Sequence, residues 1–108
     1  MGLIPGAGLV SLSPPDRFYN LPFLLAYSVL DEVLTQFVAQ HIFQCNSWML
    51  GKKMEASRNE VPWKNFDLIN SGKNDRNSLA HGAVLLDKIN CTKYIDAIEA
   101  ELKAWDII

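Results

Sequence analysis

Apolar side chains recur at intervals of three and four residues along much of this chain, and this spacing constrains the fold more than any other feature. One such series is Leu30, Val33, Leu34, Phe37, Val38 and His41. A second series is Ile95, Ile98, Leu102 and Trp105. Each series lies along one side of an α-helix, whereas no segment alternates between apolar and polar residues as a half-buried strand does. The pattern predicts an all-α fold, a compact helical bundle.

Residues that favour turns and caps predict where these helices begin and end. The predicted helices cover roughly residues 16–43, 46–57, 62–70, 75–87 and 92–106. The segment Ser71-Gly72-Lys73-Asn74 predicts a turn, because serine, glycine and asparagine favour turns. Asn74 or Asp75 is then expected to cap the helix that follows, and a break is expected near residues 88–90.

The chain has 108 residues, which suffices for one hydrophobic core. Residues 1–15 are rich in glycine and proline, so we expect an N-terminal arm there and a single helical domain over 16–108. The three tryptophans, Trp48, Trp63 and Trp105, are expected to anchor the core or an interface.

Charge and cysteine content exclude several classes of protein. The net charge of −2 argues against a binder of duplex DNA, although basic residues outnumber acidic ones between residues 51 and 76. Two distant cysteines predict reduced thiols and a cytoplasmic location.

The apolar stretch 21–30 is too short to span a membrane. His41 and Cys45 are four residues apart, but no second pair of ligands accompanies them, so we expect no metal and no cofactor.

The segment from Arg76 to His81 is the feature most suggestive of function. If a helix begins at Asn74 or Asp75, Arg76 and Asn77 lie in its first turn, where free backbone N–H groups attract anions. Lys73 and Arg76 would then bind phosphate. Asn77 and His81 are four residues apart and share a helix face, so an amide and an imidazole would border the same anion.

Arg76, four intervening residues and His81, with Asn77 after the arginine, resemble the R-x(4–6)-H signature of HEPN domains (higher eukaryotes and prokaryotes nucleotide-binding). The resemblance implies a small all-α domain, an up-and-down bundle of four to five helices that dimerises. Many active members of that family are endoribonucleases that need no metal, and they act in toxin–antitoxin, stress or defence systems. Carried over to this chain, the resemblance implies cleavage of single-stranded RNA, with an antitoxin protein as a partner.

The resemblance also implies roles for the three catalytic candidates. Arg76 would hold the scissile phosphate, His81 would exchange the proton of the ribose 2′-hydroxyl or of the leaving oxygen, and Asn77 would orient one of them. Imidazole suits this task because it titrates near neutral pH. Since the motif offers one histidine, a homodimer would supply the second imidazole.

Two other interpretations of the same residues stay open. The first is a non-catalytic helical module that binds a nucleotide or a partner protein. The second is purely structural, with His81 packed or capping a helix and Arg76 paired with Asp75.

Overall fold

A computed structural model describes residues 17–80 and 86–108. This part of the chain forms four helices: α1 (Arg17–Ala39), α2 (Leu50–Ser57), α3 (Phe66–Ala80) and α4 (Lys88–Ala104). They pack as a bundle in which α1 and α4 make the most extensive contact. The predicted all-α fold is confirmed. The predicted arm over 1–15 lies outside the described residues.

The core is built around one face of α1. Phe23, Tyr27, Leu30 and Leu34 are fully buried there, at the three- and four-residue spacing that predicted the helix. The opposite face exposes a second apolar series, which we call the α1 stripe: Leu21 is 70 % exposed, Leu25 64 % and Val29 39 %. The apolar stretch 21–30, predicted to be too short to span a membrane, belongs to a longer helix. Within the described residues, α1 is long and apolar enough to span one by length and composition alone, as core helices of soluble proteins also are.

The first helix ends earlier than the predicted residue 43. His41 has a positive φ of 62°, and the amide of Ile42 donates to the carbonyl of Phe37 at 2.9 Å. This is a Schellman motif, which terminates a helix by a residue in the left-handed conformation. His41 is therefore an exposed terminator of α1 and not a member of the buried series.

The second helix begins at Leu50 and not at residue 46 as predicted. Met49 is its N-cap residue and makes no side-chain cap hydrogen bond. Ser47 accepts a hydrogen bond from the amide of Met49 at 3.1 Å, which orders the segment before the helix.

The predicted turn at residues 71–74 is wrong, because this segment lies inside the continuous helix α3. The reason is the packing of Gly72. A β-carbon there would lie 2.6 Å from Cδ1 of Tyr94 and would overlap the hydroxyl of Tyr27. The glycine lets α3 approach α1 and α4 closely, and it does not break the helix.

Carboxylates cap the starts of α3 and α4. The Glu101 side chain is fully buried and accepts from the amides of Lys64 (2.5 Å) and Asn65 (3.0 Å), just before α3. Asp87 accepts from the amide of Asn90 at 2.8 Å at the start of α4. The break predicted near 88–90 is therefore wrong, because Asp87 starts the last helix at Lys88.

An aromatic cluster closes one end of the bundle. The rings of Trp63 and Trp105 meet edge to face with centroids 4.8 Å apart, and Phe66 meets Trp63 in the same way at 5.1 Å. The Trp63 indole donates to the Ser57 hydroxyl at 3.0 Å. These two tryptophans are core anchors, as predicted.

Candidate functional site

Arg76 and Asn77 lie in the last turns of α3 and not in a first turn. The prediction that they use the free N–H groups of a helix start is therefore wrong. Their amides are inside a helix, and the start of α3 lies at Phe66, beside the two amides that the carboxylate of Glu101 accepts from. Any anion bound by Arg76 must be held in another way.

A cavity of about 550 Å³ does bring Lys73, Arg76 and Asn77 together. We call it the cation cavity. Its remaining walls are Asp31 of α1, residues 48–52 at the start of α2, and Glu55. Three of the four residues predicted to form the site, Lys73, Arg76 and Asn77, thus line one cavity. The fourth, His81, lies outside the described residues.

The start of α2 supplies the wall opposite α3. Its first N–H groups have no intrahelical partner, and within the described residues its N-cap residue Met49 makes no side-chain cap hydrogen bond. A β-carbon on Gly51 would lie 3.0 Å from Nζ of Lys73, which places that ammonium group against this turn. The sequence predicted a helix start beside Lys73 and Arg76, and the structure provides one from α2 instead of α3.

Three cations face the cavity without a carboxylate partner. Lys52, Lys73 and Arg76 form no ion pair within the described part of the chain. The two acidic residues in the walls are engaged elsewhere. Asp31 pairs with Lys53 at 2.5 Å, and Glu55 lies 3.6 Å from Arg58. The cavity therefore has a locally positive charge that is available to a ligand.

The guanidinium of Arg76 is held by its neighbour. Its Nη2 atom donates to Oδ1 of Asn77 at 2.9 Å, which fixes the two predicted site residues as a pair. Its Nε atom is buried and has no hydrogen-bond partner. The alternative in which Arg76 pairs with Asp75 is not observed. Asp75 instead accepts a hydrogen bond from the hydroxyl of Tyr94 at 3.0 Å.

Burial raises the pKa of Tyr27 far above its ordinary value, and the nearby Tyr94 and Asp75 raise it further. The charge of Arg76 acts in the opposite direction. Burial also raises the pKa of Tyr94, with Asp75 contributing. Both phenols are hydrogen-bond donors, Tyr27 to the carbonyl of Ile69 and Tyr94 to the carboxylate of Asp75.

Trp48 is the site residue that the sequence interpretation missed. Its side chain is 85 % exposed and lines the cation cavity, so of the two predicted roles, an anchor of the core or of an interface, the first is wrong and the second stays a prediction. The signal was present in the sequence. The positions three and four residues away are Gln44, Cys45, Gly51 and Lys52, none of them a large apolar residue. A tryptophan without such partners has no helical stripe to join.

Among residues 17–80 and 86–108, no group of three or more His, Cys, Asp or Glu side chains is placed to hold a metal ion. His41 and Cys45, the pair considered from sequence, flank the end of α1, where Cys45 donates weakly to the carbonyl of Ser47. No family model, curated protein or solved structure matches this chain.

Proposed function

We propose that this chain binds a nucleotide, or the backbone of single-stranded RNA, in the cation cavity. The observation that carries the proposal is the combination of three cations, unpaired within the described residues, with an exposed indole around one cavity. Phosphate is recognised by lysine and arginine, and bases stack on aromatic side chains. A wholly apolar ligand would not use the three cations, and an acidic ligand without a ring would not use the indole.

The direct test uses the fluorescence of Trp48, because a base stacked on an indole quenches its emission. AMP and a short single-stranded RNA are expected to quench it, and the Trp48→Phe variant assigns the signal. Arg76→Ala and Lys73→Ala are each expected to weaken binding about tenfold or more, since each removes a charge-assisted contact. Binding is expected to weaken as salt increases.

Lys103→Ala is the matched control, because Lys103 is an exposed cation on α4, near Glu99 and away from the cavity. An equal loss of affinity in all three variants would mean that general charge, and not this cavity, attracts the ligand. Absence of quenching by either ligand would remove the proposal.

A second candidate function is a metal-independent endoribonuclease, in which Arg76, Asn77 and His81 act together. It is favoured by the hydrogen bond between Arg76 and Asn77 at the cavity wall. In this reaction the ribose 2′-oxygen attacks phosphorus and loses its proton to a base, while the 5′-oxygen leaves with a proton from an acid. A 2′,3′-cyclic phosphate results. His81 would serve as base or acid, and Arg76 would stabilise the charge on the phosphate.

RNA incubated with the protein in EDTA distinguishes the two functions. Cleavage to a 2′,3′-cyclic phosphate that His81→Ala abolishes, while quenching of Trp48 persists, supports the endoribonuclease. Binding with intact RNA supports the binding module. Expression that is toxic to cells, and is relieved by the same substitution, would support the toxin role expected from sequence.

We also propose that the chain forms a homodimer through the α1 stripe. Residues 18–30 contain no charged side chain, so two copies of the stripe can face each other without opposing charges. A second copy would also provide the second imidazole that acid–base cleavage requires.

A further inference from the structure

Trp48 lines the cation cavity and also a second cavity. We call it the thiol cavity; it has a volume of about 370 Å³ and is bounded by Thr35, Val38, Ala39, Cys45, Ser47, Trp48 and Lys53. Its volume is within the range of small-molecule sites. The indole of Trp48 is the wall that the two cavities share.

An ion pair forms another part of the same partition. Asp31 lines the cation cavity and Lys53 lines the thiol cavity, and their charged groups lie 2.5 Å apart. Nζ of Lys53 also donates to the hydroxyl of Thr35 at 2.8 Å. The Lys53 side chain is nearly fully buried and its charge is neutralised by Asp31, so this ammonium group is not available to bind a ligand.

The two cavities therefore differ in the chemistry that they can bind. The thiol cavity has apolar walls from Val38, Ala39 and Cys45, with Thr35, Ser47 and Trp48 beside them. It has no available charge within the described residues, so it suits a flat, uncharged group. The cation cavity suits phosphate.

We propose that the two cavities bind one dinucleotide step of a single strand. A phosphate lies against Lys73 and Arg76, one base stacks on Trp48, and the next base enters the thiol cavity. This inference rests on the proposed nucleotide binding and goes beyond it, because it makes a polynucleotide strand, and not a mononucleotide, the ligand that fills the site. Aromatic side chains that separate successive bases are a recurrent means of binding single strands.

Cys45 allows the second cavity to be tested separately from the first. It is half-buried and lines the thiol cavity, whereas Cys91 is buried in the core. The rate at which a maleimide labels Cys45 is measured in the folded full-length protein, with Cys45→Ser to assign the signal. The probes are AMP and a diadenylate whose 2′-hydroxyl is methylated, so that it cannot be cleaved. Quenching of Trp48 is recorded in parallel.

We expect both probes to quench Trp48, and only the diadenylate to slow labelling of Cys45, by at least fivefold at saturation. The diadenylate is expected to bind about tenfold more tightly than AMP, as one further stacked base contributes. Ala39 is exposed and lines the thiol cavity. Ala39→Phe is expected to make the diadenylate bind no more tightly than AMP, without weakening the binding of AMP. Circular dichroism checks that the variant folds.

Two other outcomes are distinguishable. Quenching by both probes with no protection of Cys45 by either would overturn the two-cavity proposal and leave nucleotide binding in place. Absence of quenching by both probes would remove nucleotide binding itself, and the two-cavity proposal with it.

Discussion

The hydroxyl of Tyr27 lies in the space that a β-carbon on Gly72 would need. There it donates a hydrogen bond to the carbonyl of Ile69 at 2.7 Å, so a side chain of α1 is bonded to the backbone of α3. The ring of Tyr94 on α4 borders the same space. Three helices thus meet at a single glycine, and α3 passes through this point without interruption.

Gly72→Ala is expected to lower the free energy of unfolding by about 1–3 kcal/mol, because the added methyl group must displace buried rings. Urea denaturation followed by circular dichroism measures the change. Gly51→Ala is the matched control. Its added carbon meets only the flexible end of Lys73, and alanine favours a helix, so its stability is expected to be unchanged or higher. Equal losses in the two variants would contradict the packing role of Gly72.

Tyr27 makes the stability of the protein sensitive to alkaline pH. Burial raises the pKa of this phenol above its ordinary 10.0, so the folded state keeps the proton after the unfolded chain has lost it. The free energy of unfolding is therefore expected to fall as the pH rises above about 10. At neutral pH, Tyr27→Phe is expected to cost about 1 kcal/mol for the lost hydrogen bond. If the phenol causes the alkaline loss, the free energies of unfolding of the parent protein and of Tyr27→Phe approach each other between pH 8 and pH 11. A difference that stays constant over this range would contradict the role of the phenol.

Glu101 stabilises the start of α3 from a buried position on α4. Glu101→Ala leaves the amides of Lys64 and Asn65 without their acceptor, and the expected cost is about 2–4 kcal/mol. Glu99→Ala serves as the control, because Glu99 is exposed and forms only a surface pair with Lys103. Its effect is expected to stay within about 0.5 kcal/mol. Thermal denaturation of both variants gives the comparison.

The fold class could be predicted because the core of α1 follows helical spacing, from Phe23 to Leu34. The bounds of α3 could not, because they depend on contacts between distant residues. Gly72 predicts a turn when only its neighbours are considered, and its helical state depends on Tyr27 and Tyr94, at least 22 positions away in sequence. The cap of α3 is likewise a carboxylate from residue 101.

The site was predicted in part, for a similar reason. Arg76 and Lys73 were identified by residue type, since cations close together predict an anion site in any fold. The prediction placed them at the wrong helix start, because the α2 terminus is brought to them only by tertiary packing. Trp48 was missed because aromatic residues are usually buried, and its exposure depends on which face of the segment before α2 is turned outward.

Replacement of His41 is expected to stabilise the protein without a change in the core. It holds a positive φ of 62° at the end of α1, a conformation that is unfavourable for residues with a β-carbon. His41→Gly is expected to raise the free energy of unfolding by roughly 0.5–1 kcal/mol. Asp106, with a φ of 60° after α4, is the comparison; because aspartate tolerates this conformation better, Asp106→Gly is expected to gain less. A loss of stability in His41→Gly would show that the imidazole makes a contribution of its own.

The proposed homodimer can be tested at the α1 stripe. Leu25 is 64 % exposed at its centre, so Leu25→Lys changes no core contact but places a charge where two copies would meet. Sedimentation velocity is expected to show a dimer for the parent protein and a monomer for this variant. Ile42→Lys is the control, because Ile42 is 42 % exposed beyond the other end of α1, and it is expected to leave the dimer intact. A monomeric parent protein would exclude the dimer. A dimer that both variants retain would assign the contact to another surface, and the α1 stripe would then have no role in assembly.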